Sequence, residues 1–384
     1  MTARAERFHI GIFGRRNSGK SSLLNSLTGQ ESSIVSQVKG TTTDPIYKPM
    51  EIHGLGPVVF IDTAGLDDEG DLGGLRIEKT IKAIDKCDAF IYLLSEDDEE
   101  FIEQLSAKNK PIIYVVSKGD LETHKKVLEE NSSLNPLVFI SGDKDKKEQL
   151  IERIREHCPR KKEISITHGL VDSGDTVLLV MPQDESAPKG RLIMPQVQTI
   201  RELLDKNAVI YIANLNTMGA MLASLKFPPN LIITDSQYFE EVSKLKPEES
   251  LLTSFSVLFS AYKGDIDYFI ESVKVLDEPE KITKILIAEA CTHAPLEEDI
   301  GRVKIPNLLR KKFNKDFEFT FKRGDDFDNL EEFDLIIHCG SCMFNRSNVL
   351  NRVEKAKNAR VPMTNYGIMI AYLKGILDDI SITK

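Results

Sequence analysis

Phe8-His9-Ile10-Gly11-Ile12-Phe13, followed at once by Gly14-Arg15-Arg16-Asn17-Ser18-Gly19-Lys20-Ser21, decides how this chain is read. The first six residues form an apolar run of strand length. The next eight match G-x-x-x-x-G-K-S/T and open the helical stretch Ser21-Ser22-Leu23-Leu24-Asn25-Ser26-Leu27-Thr28-Gly29, the strand–loop–helix setting that a phosphate-binding loop requires. Glycines at both ends let backbone N–H groups converge on phosphate oxygens at a helix N-terminus. Lys20 offers a positive charge to the β and γ phosphates, and Ser21 offers an oxygen to magnesium. Gly14, Asn17, Ser18, Gly19, Lys20, Ser21 and Ser22 are therefore the expected phosphate cradle. Onward to about Ile164, short apolar runs alternate with helical patterns, which predicts a parallel sheet with crossover helices.

Four later pieces extend the reading. The strand Val58-Val59-Phe60-Ile61-Asp62-Thr63 ends in Asp62-Thr63-Ala64-Gly65, where Asp62 can reach magnesium through water and the Gly65 N–H can meet a γ-phosphate. Lys39-Gly40-Thr41-Thr42-Thr43-Asp44 is a hydroxyl-rich loop able to fold over a nucleotide. Ser117-Lys118-Gly119-Asp120 follows one strand and Ser141-Gly142 another. In this order the pieces resemble the boxes of GTP-binding proteins of the class that includes the Era and tRNA-modification GTPases. The resemblance implies GTP/GDP with Mg2+, Thr42 as the switch threonine on magnesium, Asp120 on the guanine donors, Lys118 along the base, and Ser141 with Gly142 at its edge. Ser117 stands where that class carries Asn, and Leu66 stands where a water-orienting Gln would be, so intrinsic hydrolysis is expected to be slow. Relatives with the second substitution use K+ held by an asparagine at the position of Asn17, which makes Asn17 the expected potassium ligand. Glu69 and Asp71, in the acidic glycine-rich segment after Leu66, read as solvated loop residues or as groups orienting water.

With 384 residues, 41% of them hydrophobic, the chain is long enough for three cores. The expected division is 1–164, 165–263 and 264–384. Sixty acidic residues against 50 Lys and Arg give a formal charge of −10, which disfavours broad binding to nucleic acid or an anionic membrane. The first residues run into a strand without an apolar leader, and no run of 18 or more apolar residues follows, so a soluble cytoplasmic protein with reduced thiols is expected.

The second region predicts three strands around TVLLVMP, VIYIANL and LIITDS. Between the first two lies a helix opened by Pro195, with Val197, Ile200, Leu203 and Leu204 on one side. Nothing here has catalytic spacing. The polar loop from Met181 to Arg191 reads as a ligand loop or a connector, and self-association is the generic expectation for the region.

The third region repeats the alternation and again predicts a parallel sheet. Three of the chain's five cysteines fall here at strand ends, Cys291 in Cys291-Thr292-His293 and Cys339 and Cys342 in His338-Cys339-Gly340-Ser341-Cys342, with Tyr366 at the end of another strand. Ligands of such sheets gather at carboxyl ends of strands. Cys339 and Cys342 can turn toward one metal, but Cys291 joins them only if the two strands lie side by side. Three thiolates with two nearby imidazoles suit an iron–sulfur cluster or zinc, and His293 and His338 can ligate or hydrogen-bond a sulfur. Cys87 and Cys158 read as core and as the edge of the first domain.

Over essentially its whole length the chain resembles the GTPase maturation factors of FeFe-hydrogenases, the HydF family. The resemblance rests on GRRNSGKSS, MPQDESAPKGRLIMPQVQ, AEACTHAPLEEDIGRVKIPNLL and IIHCGSCMFNR. It implies an α/β chain with a P-loop GTPase domain followed by two smaller domains with mainly parallel sheets, the middle one dimerising the protein into a homodimer or higher form. It also implies a 4Fe-4S cluster on Cys291, Cys339 and Cys342 with an exchangeable fourth position, and a scaffold role for the hydrogenase's two-iron subcluster. Its partners would be the radical-SAM maturases that deliver to it and the apo-hydrogenase that receives from it. Two other readings remain open from the sequence: an RNA-modification or ribosome-assembly GTPase with a structural metal, and an iron–sulfur redox sensor gated by GTP.

Overall fold

A computed structural model describes residues 7–29, 45–63, 73–96, 98–117, 122–158, 164–181, 192–290, 299–341 and 344–382. Thr42, Gly65, Lys118, Asp120, Cys291, His293 and Cys342 lie outside them, as do Leu66, Glu69, Asp71 and most of the polar loop after Met181. The chain divides into two compact units, Met1–Glu163 and Ile164–Lys384.

The first unit is built on a six-stranded sheet from β1 (Phe8–Gly14), β2 (Ile46–Ile52), β3 (Gly56–Asp62), β4 (Ala89–Leu93), β5 (Ile112–Ser117) and β6 (Leu137–Phe139), in the order β2-β3-β1-β4-β5-β6. Alternation along the strands supplies two cores. Ile10, Ile12, Val58, Phe60, Ile91, Leu93 and Val115 face one side, while Phe13, Val59, Ile61, Phe90, Tyr92 and Val116 face the other. Helices cover both faces, so the central strands are apolar throughout and each fully buried large side chain contributes roughly 1.5–3 kcal/mol. A Cβ on Gly11 would meet the Cys87 sulfur at 2.6 Å, so this glycine is what lets Cys87 sit fully buried against β1. Five strands are parallel, but β2 runs antiparallel to β3, from Ile46 opposite Asp62 to Ile52 opposite Gly56. The alternation did not predict this edge strand. It is largely solvent-facing and carries Pro49, so it lacks an apolar run to mark it.

The second unit holds two four-stranded sheets, every strand pair of them parallel. One comprises β7 (Thr176–Val180), β8 (Val209–Ala213), β9 (Leu231–Thr234) and β10 (Leu251–Ser254) in the order β10-β9-β7-β8. The other comprises β11 (Lys284–Glu289), β12 (Glu318–Arg323), β13 (Leu335–His338) and β14 (Met363–Asn365) in the order β12-β11-β13-β14. A shared core joins Leu178, Val180 and Ile232 of the first to Leu286, Ile287 and Ile336 of the second, which explains why both belong to one compact unit.

The helix Met194–Asp205 corrects one expectation. Leu203 is fully buried and Ile200 packs on the core, but Val197 and Leu204 are 45% and 55% exposed, while Gln196 and Thr199 are buried in their place. Two local bonds make that burial tolerable: Gln196 Oε1 accepts the Ile193 N–H at 3.1 Å, and Thr199 donates to the Pro195 carbonyl at 2.8 Å. Among the described residues no helix is long and apolar enough to cross a membrane.

Candidate functional site

The loop after β1 leaves the sheet where the chain order reverses, with β3 on one side of β1 and β4 on the other, the position at which open α/β sheets hold ligands. Gly14 and Gly19 have φ of 144° and 99°, conformations that other residues rarely adopt, and a Cβ on Gly14 would lie 2.8 Å from the Leu93 carbonyl. Asn17 takes a φ of 60° at the exposed tip. Lys20 is 8% exposed, and its ammonium donates to the carbonyls of Gly14 at 2.8 Å and Arg15 at 2.6 Å. On the outer side Arg15 Nε pairs with the buried Asp98 carboxylate at 2.8 Å, and that same carboxylate accepts the Ser95 N–H at 2.6 Å.

Two oxygens meet where the helix Lys20–Thr28 begins and β3 ends. Ser21 Oγ donates to Asp62 Oδ2 at 3.1 Å, while Asp62 Oδ1 is buried without a hydrogen-bond partner. Burial pushes the Asp62 carboxyl above its ordinary range, and the Ser21 bond and the nearby Lys20 charge oppose that rise. A hard dication is the species that such a pair of oxygens suits, because it takes oxygen ligands and compensates a desolvated carboxylate. These residues fit magnesium.

Ser117 ends β5, one pair of residues in register with Phe139 of β6. Its hydroxyl donates to the Ser18 carbonyl in the phosphate loop, and its Oγ would lie 3.1 Å from a Cβ on Gly19. The sequence marks Ser117 only as a departure from a pattern, whereas the structure shows it bracing the loop. Ser141 and Gly142 form an exposed turn after β6, Gly142 with φ of 87°, and Asp143 then caps the next helix through the Asp145 and Lys146 N–H groups. The carboxyl ends of β1, β3, β5 and β6 thus carry the phosphate loop, Asp62, Ser117 and Ser141-Gly142.

A second cluster lies at the carboxyl ends of β11 and β13. These strands are neighbours, with Ala288 opposite His338. The Cys339 N–H donates to the Ala288 carbonyl at 2.9 Å, and the Ala290 N–H donates to Cys339 Sγ at 3.0 Å. Ala290 immediately precedes Cys291, so the side-by-side pairing that a three-cysteine site needs is present. Among the described residues no group of three or more His, Cys, Asp or Glu forms a metal site, and two of the three cysteines lie outside them. A partly buried sulfur at a sheet end that accepts an N–H suits iron or zinc by its softness.

His338 is 1% exposed, with both ring nitrogens engaged. Nε2 accepts from Arg352 Nη1 at 2.8 Å, which makes Nδ1 the protonated nitrogen that donates to the Cys339 carbonyl at 2.9 Å; Ser341 Oγ lies 3.0 Å from it. Burial, and next the Arg352 cation, push His338 down to about 3. Arg352 lies between the rings of Phe327 and Phe344, 4.6 Å from each, and also donates to the Gly324 carbonyl. On the far side of the loop Lys263, 3% exposed, donates to the carbonyls of Ser341 and Phe344, each at 3.0 Å. Nothing in the sequence singled out Arg352 or Lys263. Each is a cation inside a helical pattern, and only the packing of its helix against the sheet brings it to this loop.

Nearby, the Glu289 carboxylate is 3% exposed and receives Arg323 Nε at 2.9 Å and Arg302 Nη2 at 3.3 Å. Tyr366 opens the helix after β14. Burial, then the negative charges of Cys339, Glu289 and Asp299, push its phenol well above the ordinary tyrosine range.

Three family profiles match this chain: a hydrogen maturase F tetramerization domain over residues 267–381, a hydrogen maturase F dimerization domain over 166–264, and a 50S ribosome-binding GTPase domain over 9–118. The first two together cover more than half of the chain. The chain belongs to the hydrogen maturase F family. Its first unit is the GTPase domain of that family, and its second carries both assembly domains. Among curated proteins, the tRNA modification GTPase MnmE of Caldicellulosiruptor saccharolyticus is 36% identical over 151 residues, 37% of this chain and 32% of that protein. GTPase Der of Wolinella succinogenes is 34% identical over 183 residues, 42% of this chain and 39% of that one. The chain thus spans well under half the length of these relatives. The crystal structure of Aquifex aeolicus Era aligns at 16% identity with a TM-score of 0.35, covering 64% of this chain and all of that one.

Proposed function

We propose that this member of the hydrogen maturase F family hydrolyses GTP slowly and carries a 4Fe-4S cluster on Cys291, Cys339 and Cys342, on which the two-iron subcluster of an FeFe-hydrogenase is assembled or held for delivery. The observation that carries the reading is the 3.0 Å contact between the Ala290 N–H and the Cys339 sulfur, because it joins the two segments bearing the cysteines. A cluster held by three thiolates supplies one iron with a replaceable ligand, where a metal fragment can be bound and later released. The chain's own part is positional. His338, held neutral between Arg352 and the Cys339 carbonyl, fixes the start of the cysteine loop rather than offering a free nitrogen.

In the first unit Lys20 and the loop N–H groups hold the phosphates, and Ser21 with Asp62, joined by Thr42, holds magnesium. Gly65 meets the γ-phosphate; Lys118, Asp120, Ser141 and Gly142 read the guanine; Asn17 holds potassium. The nucleotide switch regulates handover and takes no part in the iron chemistry. The maturases that supply the fragment and the apo-hydrogenase that accepts it are the partners, in a cytoplasm that keeps the thiols reduced. Domains divide at 164 and 263. The chain pairs with a second copy through the edge strand β8, where Val209 and Ile212 are about half exposed beside Val197 and Leu204.

The test is anaerobic reconstitution followed by iron and sulfide analysis of the full chain and of a variant with Cys291, Cys339 and Cys342 all changed to Ala. Equal iron and sulfide with absorption near 400 nm, lost in the variant, is expected. Iron retained by the variant, or zinc without sulfide in the parent, refutes the reading.

A further inference from the structure

Beyond the cysteines, the carboxyl end of the third sheet holds buried hydrogen-bond donors that have no partner among the described residues. The Tyr366 hydroxyl, Arg302 Nε and Arg323 Nη2 are all buried without a partner. Each such atom in a native protein is destabilising and calls for a reason. The carboxylate in this corner, Glu289, already receives both arginines through other nitrogens. Among the described residues these three donors meet no acceptor.

Tyr366 is the donor best placed with respect to the cysteine loop. β13 and β14 are parallel, with His338 opposite Asn365, so Cys339 and Tyr366, the first residues past the two strands, leave the sheet end from neighbouring positions. Asn365 holds the turn by accepting the Ile368 N–H at 3.0 Å. The hydroxyl rests against Gly301, in the π-helical turn Ile300–Lys304, at a spot that any Cβ on that residue would occupy. A glycine there keeps open the space the phenol needs, and π-turns recur at functional sites.

We propose that the Tyr366 hydroxyl donates a hydrogen bond to a sulfur of the iron–sulfur group held at Cys339, and thereby raises the reduction potential of that group. The inference rests on the cluster reading above. A donor aimed at sulfur stabilises the added electron, since the reduced cluster carries more negative charge. Tyr366 is a positioning residue that tunes the site electrostatically, with no covalent step of its own.

The experiment compares the anaerobically reconstituted full chain with its Tyr366→Phe variant by iron and sulfide content and by EPR-monitored redox titration, alongside thermal melts of both proteins free of metal. The variant should bind as much iron and sulfide as the parent. Its oxidised-to-reduced equilibrium should shift about tenfold toward oxidation, a fall of about 59 mV for one electron. Its metal-free melting temperature should be unchanged or higher, because the hydroxyl has no hydrogen-bond partner among the described residues to lose. An unchanged potential in a fully loaded variant overturns the proposal, and so does a lowered metal-free melting temperature, which would mark a structural hydroxyl. Should the variant fail to fold, Gly301→Ala, which pushes the phenol aside, must lower the potential instead; no shift there is equally decisive. A parent chain that binds no iron–sulfur group at all refutes the cluster reading itself, and is told apart by the iron and sulfide analysis.

Discussion

Replacing Arg352 by Leu tests whether the cation beneath the cysteine loop holds the second unit together. The substitution removes the guanidinium but keeps an apolar side chain of moderate size between Phe327 and Phe344. It leaves one buried acceptor, His338 Nε2, and one part-buried acceptor, the Gly324 carbonyl, without their donors. Each orphaned acceptor costs about 1–3 kcal/mol, and removing the cation from each of the two desolvated aromatic faces adds about 1–2 kcal/mol. Against this, the leucine no longer desolvates a charge, a saving of several kcal/mol. Removing one partner of a buried pair leaves the other uncompensated, so the loss wins and the net destabilisation is about 3 kcal/mol. For a unit of this size that lowers the melting temperature by roughly 6–12 °C. Calorimetry on metal-free protein reads it. Changing His338 to Leu in the same chain removes one orphan, so the double variant should lose about 1–2 kcal/mol less than the two single losses added together. A shift under roughly 2 °C for the single variant, or strict additivity in the pair, would show that the Arg352–His338 hydrogen bond carries no weight.

Two further outcomes follow from the described geometry. Asp62→Asn relieves a buried carboxylate with one unpartnered oxygen, so it should stabilise the nucleotide-free first unit by about 1 kcal/mol while abolishing magnesium-dependent GTP binding; a variant that melts earlier and still binds GTP with magnesium contradicts the assignment. His338 titrates near 6.5 when unfolded and is held down to about 3 when folded, so the unfolded chain binds the extra proton between those values and stability falls as pH drops through that window. Between pH 6.5 and 5 the metal-free second unit should lose about 2 kcal/mol from this residue, and in His338→Leu that slope should flatten in denaturant titrations.

The central strands were legible because they are buried on both faces and therefore read as unbroken apolar runs, as in Ala89-Phe90-Ile91-Tyr92-Leu93. The phosphate loop was legible because its glycines answer a backbone demand that few residues can meet. Strand β10 escaped notice because four residues, Leu251-Leu252-Thr253-Ser254, are too few to show a period. The inward face of Met194–Asp205 was misjudged because burying Gln196 and Thr199 depends on bonds to Ile193 and Pro195 that hydrophobicity does not report. At the cysteine loop the sequence named the ligand candidates and the strand ends. It was silent on Arg352, whose role exists only once β13 and the helix Arg346–Asn358 have packed together.

Lys263 closes the helix Phe255–Lys263, which falls within the dimerization match, yet its ammonium donates to the carbonyls of Ser341 and Phe344, which fall within the tetramerization match. The neighbouring Tyr262 carbonyl accepts Arg346 Nη1 at 2.6 Å, and Ser260 meets Asn365. The last turn of this nine-residue helix is thus fastened to residues flanking the cysteine loop and to the end of β14. A push on the last turn of this helix therefore reaches the residues on either side of the cysteine loop through short bonds, so the two matched segments move as one body instead of hinging where the matches meet.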